Sequence, residues 1–249
     1  MIGTVIREAF ALYRPLSRML IAVTALIFLP FAAALLVLEL LVPNTTNTQQ
    51  SLLIINGVGT VLLFGPLASI VAVRSAMTIE GDQPARAANA LKEAFALLPA
   101  YVITQVLTLV VIALLPAVLI AAGYIGSSPL LLTIGLGALF ASVFINGVRL
   151  ALTTVLVVVG DTRYAPALRR SAQLTRGRFW GTLGTIIALS LITLAVAMII
   201  SAGGLIAPDG ASQAIANAIT GVIGSALTAP FIALGIYRLY RNLAIAQNS

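Results

Sequence analysis

The sequence predicts an all-α polytopic membrane protein, with six transmembrane helices arranged as three repeats of an interfacial amphipathic helix plus a membrane hairpin. Three observations carry this prediction. The 249 residues are 60% hydrophobic and 8% charged, with mean hydropathy +1.10, whereas soluble domains average about 25% charged residues. Six segments are apolar over the length of about 20 residues that a helix needs to cross roughly 30 Å of hydrocarbon. Every basic residue then falls on one side of the membrane.

The six segments are approximately 19–42, 53–77, 100–122, 130–157, 181–206 and 215–237. Within each hairpin the pair is separated by Pro43-Asn44-Thr45-Thr46-Asn47, by Gly123-Tyr124-Ile125-Gly126-Ser127-Ser128-Pro129 or by Ala207-Pro208-Asp209-Gly210, and none of these breaks holds a Lys or Arg. All 14 basic residues lie in 1–18, 78–99, 158–180 and 238–249, or, for Arg74 and Arg149, at inner span ends. Lys and Arg mark the cytoplasmic loops. The expectation is a multi-pass protein of the bacterial cytoplasmic (inner) membrane with both termini in the cytoplasm. Glu8, Glu80, Asp82, Glu93 and Asp161 join the basic side, while Glu39 and Asp209 fall outside. Five or seven spans would break this partition. Arg7, Glu8, Arg14 and Arg18 precede the first span and no small-residue cleavage site follows it, so that span is expected to be retained.

A threefold repeat organises the single membrane domain of residues 1–249, with copies at about 1–80, 81–160 and 161–249. Arg7-Glu8-Ala9-Phe10-Ala11-Leu12 aligns with Lys92-Glu93-Ala94-Phe95-Ala96-Leu97, and more weakly with Arg169-Arg170-Ser171-Ala172-Gln173-Leu174. A helix breaker follows each copy (Pro15, Pro99, Gly177), and an arginine closes the second span of each (Arg74, Arg149, Arg238). Leu91, Phe95 and Leu98 share one helical face. The segments are therefore expected to lie in the membrane interface, apolar face down. Pro84 and Pro166 suit first-turn positions, and Asp82 and Asp161 read as N-caps. Pro30, Pro66, Pro116 and Pro230 predict kinked spans whose freed backbone groups are satisfied by neighbours. Gly135, Gly137, Gly181, Gly184, Gly221, Gly224 and Ser225 would admit close helix contacts.

The chain has no cysteine and no histidine, which excludes disulfides and thiolate or imidazole metal sites. A Gly-rich phosphate loop, paired intramembrane carboxylates and a serine with a base are also missing. No enzyme and no cofactor are expected. The basic excess does not indicate nucleic acid, because the charges are split among four short segments instead of one solvent-facing patch. Candidate contacts for anionic lipid headgroups or phosphate are Arg74, Arg149 and Arg238, expected as a pseudo-threefold cluster, together with Arg169, Arg170, Arg176 and Arg178 in the densest basic run. Glu8 and Glu93 are candidate counter-charges; the bland alternative is plain topology anchors. Ten uncharged residues separate Arg149 from Gly160. Either Arg149 lies deep in the bilayer, or the fourth helix projects beyond it with its apolar end covered; the second placement sets Arg149 level with Arg74 and Arg238.

The Gly160-Asp161 loop opens a helix reading Ala167-Leu168-Arg169-Arg170-Ser171, then Leu174-Thr175-Arg176-Gly177-Arg178-Phe179-Trp180 leads directly into a span. The chain closes on Ala229-Pro230-Phe231 and Tyr237-Arg238-Leu239-Tyr240-Arg241. This pattern resembles the bacterial six-span proteins grouped with the membrane domain of glycerophosphoryl diester phosphodiesterases and related uncharacterised inner-membrane families. The resemblance implies the membrane domain alone: in fused members the activity belongs to a separate soluble domain with acidic metal ligands, for which this chain has no room. No catalytic residue carries over. The function expected is a non-enzymatic anchor, scaffold or accessory module contacting anionic lipid or a protein partner in the membrane. The alternative is a small transporter or channel component for a hydrophobic or lipid-like substrate, although Asn56, Gln105 and Asn146 supply few amides for a hydrophilic path.

Overall fold

Apolar side chains at every third or fourth position define the first helix, α1 (Ile2–Leu41): Val5, Ala9, Leu12, Leu16, Leu20, Val23 and Ile27 form one buried stripe, with Arg7, Arg14 and Arg18 on the exposed side. The structure, a computed structural model, describes residues 2–41, 46–160, 162–204 and 211–248. After α1 come α2 (Thr46–Gly59), a π-helical turn (Thr60–Phe64), α3 (Gly65–Glu80), α4 (Ala87–Ile125), α5 (Pro129–Leu150), α6 (Thr153–Val159), α7 (Tyr164–Thr175), α8 (Phe179–Gly204) and α9 (Ala211–Asn248). Among the described residues six helical stretches are long and apolar enough to cross a membrane, and they overlap the six expected spans. The breaks expected at 43–45 and 207–210 lie outside the described residues, as do Asp161 and Asp209.

The amphipathic segments differ from expectation in two copies of three. Pro15 and Pro99 do not end their helices; each sits inside a helix that runs from the amphipathic segment straight into the span. A proline deletes the bond to the carbonyl four residues earlier. Here those carbonyls belong to Ala11 and Phe95, and both residues, like both prolines, are on exposed faces where a polar surrounding can satisfy them. Only in the third copy is the segment a separate helix, α7: Arg176 is extended, Gly177 takes φ +79°, and α8 begins at Phe179. Pro166 does lie in the first turn of α7, but Pro84 precedes α4, whose N-cap is Arg86 with no side-chain cap. Asp82 stands instead in a left-handed turn at φ 56°.

The kinking prolines show how a membrane helix satisfies its freed backbone. Pro116 cannot donate to the carbonyl of Ile112; the Ser142 hydroxyl of α5 donates to it instead at 2.6 Å, and the Asn146 amide donates to Ser142 at 3.0 Å. Before Pro66 the helix widens by one residue, so that the Gly65 N–H reaches the carbonyl of Thr60. A Cβ at Gly65 would lie 2.6 Å from that same oxygen.

The fourth span is broken. α5 ends at Leu150 and α6 resumes at Thr153, displaced by a turn at Ala151 and Leu152. Ser171 of α7 fills the gap: its hydroxyl donates to the Arg149 carbonyl at 2.7 Å and accepts from the Leu152 N–H at 3.2 Å. The apolar end of this span is covered by protein, since Leu152, Val155, Leu156, Val157 and Val158 are buried against α3, α4, α7 and α9.

The core lies toward the end of the bundle that carries the basic residues. It joins the first part of α1, α3, the start of α4, α6, α7 and the last part of α9. Further from that end large apolar residues such as Leu114, Phe140, Leu194 and Ile219 are exposed. α1 packs most extensively on α9, and α4 on α5. Gly123 and Gly135 permit the latter contact, because a Cβ would meet the backbone nitrogens of Leu132 at 2.6 Å and Ile120 at 2.9 Å. Gly137, Gly221 and Gly224 face open space and do not mediate helix contacts.

Candidate functional site: the basic end of the bundle

Arg74 and Arg238 sit on α3 and α9, which pack together, and each faces a carboxylate. Arg238 Nη2 lies 2.8 Å from Glu80 Oε1, and Arg241 Nη1 lies 3.3 Å from Glu80 Oε2. The Tyr237 hydroxyl donates to Glu80 Oε2 at 2.6 Å. Glu80 is therefore held by three partners on one stretch of α9, with the ion pair to Arg238 largely screened from solvent. Arg74 Nε lies 3.3 Å from Glu93 Oε2, a pair more exposed than the first, and its N–H is not aimed for a hydrogen bond. Such an exposed pair contributes about 0–1 kcal/mol.

The expected counter-charges are thus half realised. Glu93 meets Arg74, but Glu8 meets none of the three arginines; it accepts from the Asn242 amide at 3.4 Å. Glu80, Tyr237, Arg241 and Asn242 were not singled out in the sequence. Their signal was available in part: residues 238 and 241 share one helical face, and Tyr237 adjoins it. Nothing local tied them to a glutamate more than 150 residues away.

Arg149 lines a different surface pocket from Arg74. This pocket, of about 440 Å³, is also lined by Gln173, Thr175, Arg176, Gly177 and Phe179. Among the described residues no carboxylate lines this pocket, and neither Arg149 nor Arg176 has an ion pair. The break in the fourth span places it there, because the Arg149 carbonyl is anchored to Ser171 while its side chain is exposed. Phe179 joins this pocket to a row of aromatics: Phe144 and Phe179 rings are 6.0 Å apart, and Phe179 and Trp180 meet edge-on at 5.5 Å. Arg169 and Arg170 are exposed on α7, and Arg178 is exposed between α7 and α8. Two guanidinium forks without a carboxylate, beside amphipathic aromatics, can hold a phosphate diester by paired N–H···O bonds.

This fold defines a class, the multi-pass α-helical integral membrane proteins. Residues 120–228 match the family model described as the membrane domain of glycerophosphoryl diester phosphodiesterase, and the chain is a six-span membrane protein resembling that domain. The matched stretch includes the broken fourth span, α7, the Arg149 pocket and the fifth span. Comparisons with curated proteins and with solved structures gave no match.

Proposed function

We propose that this protein is a non-enzymatic module of the bacterial inner membrane, with both termini in the cytoplasm, that holds an anionic phospholipid headgroup at the Arg149–Arg176 pocket. The observation that carries this reading is the pairing of two arginines with no acid partner among the described residues beside the Phe144–Phe179–Trp180 row. Aromatic residues favour the headgroup level of a bilayer, and each basic residue near an anionic leaflet adds about 1 kcal/mol of attraction. The exposed arginines of α7 would widen the same patch, while Arg74 and Arg238, already facing glutamates, serve the fold. We read the three amphipathic segments as copies of one unit. Its support is burial: Val5, Ala90 and Ala167 are equivalent and buried, as are Ala9, Ala94 and Ser171, and Leu12, Leu97 and Leu174.

The test is native mass spectrometry of the protein released from vesicles of phosphatidylglycerol and phosphatidylcholine. The wild type is expected to retain phosphatidylglycerol, and the Arg149→Gln/Arg176→Gln variant to lose that preference while Arg74→Gln keeps it. Equal retention by the wild type and the double variant would refute the assignment.

A further inference from the structure

A second hollow, of about 350 Å³, lies beside the break in the fourth span, between α3, α4, α6 and α9. It falls within the size range of ligand clefts, about 300–1,000 Å³. Its lining is apolar at Leu109, Ile112, Ile232 and Ile236 and polar at Ser69, Tyr101, Gln105 and Thr154. Among the described residues none that is charged lines it. We propose that this crevice binds an uncharged lipid with a free hydroxyl and an ester, of the diacylglycerol type, drawn sideways from the bilayer.

The polar lining is unusual for its place. Tyr101 is buried, and its hydroxyl faces the side chains of Ser69 and Thr154. Gln105 lies one helical turn further along the same face of α4, and among the described residues nothing hydrogen-bonds its carboxamide. Thr108 spends its hydroxyl on the Thr104 carbonyl and leaves the amide alone. Gln105 is half-buried in the lining, and its carboxamide, unpaired among the described residues, is free to bond a ligand that enters the crevice. That ligand must be uncharged, because the crevice offers no counter-ion and burying a lone charge is prohibitive. A hydroxyl and an ester carbonyl complement an amide that both donates and accepts.

The space is left open by the fold. A Cβ at Gly147 meets no atom within 4 Å, although protein interiors are otherwise close-packed. The broken helix contributes Leu150, Ala151 and Thr154 to the lining. The break is flanked on one side by Ser171, which bonds both of its ends, and on the other by the crevice. The apolar lining suits acyl chains that continue into the bilayer. The site is separate from the arginine pocket and does not rest on it.

The experiment is photolabelling in phosphatidylglycerol vesicles with a diazirine-bearing diacylglycerol, followed by peptide mapping. Labelling of the 101–112 and 147–158 segments is expected, with competition by unlabelled dioleoylglycerol. Gly147→Leu, whose Cβ meets no atom within 4 Å, puts a bulky side chain on the crevice lining and should abolish it. Gln105→Leu should weaken competition about fivefold, the worth of one net hydrogen bond. The thermal transition of both variants is measured alongside, and Arg149→Gln/Arg176→Gln should label as the wild type does. Undiminished labelling in a folded Gly147→Leu or Gln105→Leu variant would overturn the site. Stronger competition by phosphatidic acid than by dioleoylglycerol would overturn the uncharged head.

Discussion

At the scale of the residue, Ser171 shows how much one hydroxyl can hold. It is fully buried and bonds both loose ends of the broken fourth span. In Ser171→Ala the Arg149 carbonyl loses its strong partner and the Leu152 N–H has none, and each buried group left unpaired costs about 1–3 kcal/mol. The expected outcome is a clear fall in the thermal transition of the purified protein in detergent. Ser142→Ala, which frees the Ile112 carbonyl, should fall less, since interhelical bonds in membranes average about 0.6 kcal/mol. An unchanged transition in Ser171→Ala would mean that the break is held by packing alone. The repeat alignment gave no hint of this role. Ser171 occupies the place of Ala9 and Ala94, both buried and apolar, and only the break two helices earlier in the chain turns that position polar.

At the scale of the element, hydropathy and proline position explain the spans but not how each one begins. The buried stripe of α1 continues in phase from Val5 to Ile27, so the amphipathic segment and the span are one helix seen in two surroundings. Pro15 was a poor guide because the bond it deletes faces outward. Glycines divide in a similar way. Gly123 and Gly135 meet backbone across the α4–α5 contact, whereas Gly137, only two residues from Gly135, meets nothing. Gly123→Ala and Gly135→Ala are therefore expected to destabilise the hairpin by about 1–3 kcal/mol through overpacking, with Gly137→Ala near neutral or slightly stabilising. Thermal melts of the three variants decide it; equal behaviour of the set would show that the backbone yields at the contact. The break at Ala151 and Leu152 had one trace in the sequence, an apolar run from Leu150 to Val159 longer than the span required.

At the scale of the whole molecule, the six membrane-capable helices were readable because composition and length decide them. The pairing of charges was not, since Glu80 reaches Arg238 and Arg241 across most of the chain. The proposed orientation makes a direct prediction. With no natural cysteine present, single cysteines at Asn47 and Gln173, both exposed, should be labelled by an impermeant maleimide from opposite sides of the membrane. Labelling of both from one side would refute the six-span topology. Ser171 itself is unsuitable as a reporter because it is buried.

The long contact between α1 and α9 bears on how the protein is made. Synthesis delivers α1 first and, of the helices described, α9 last. The stripe that α9 will cover, from Val5 onward, has only its smaller contacts with α3 and α8 before α9 is inserted. Lipid or an insertion factor must keep it company until then. Assembly is thus completed by the last of the described helices, and a ribosome stalled before Ala211 would leave that seam open.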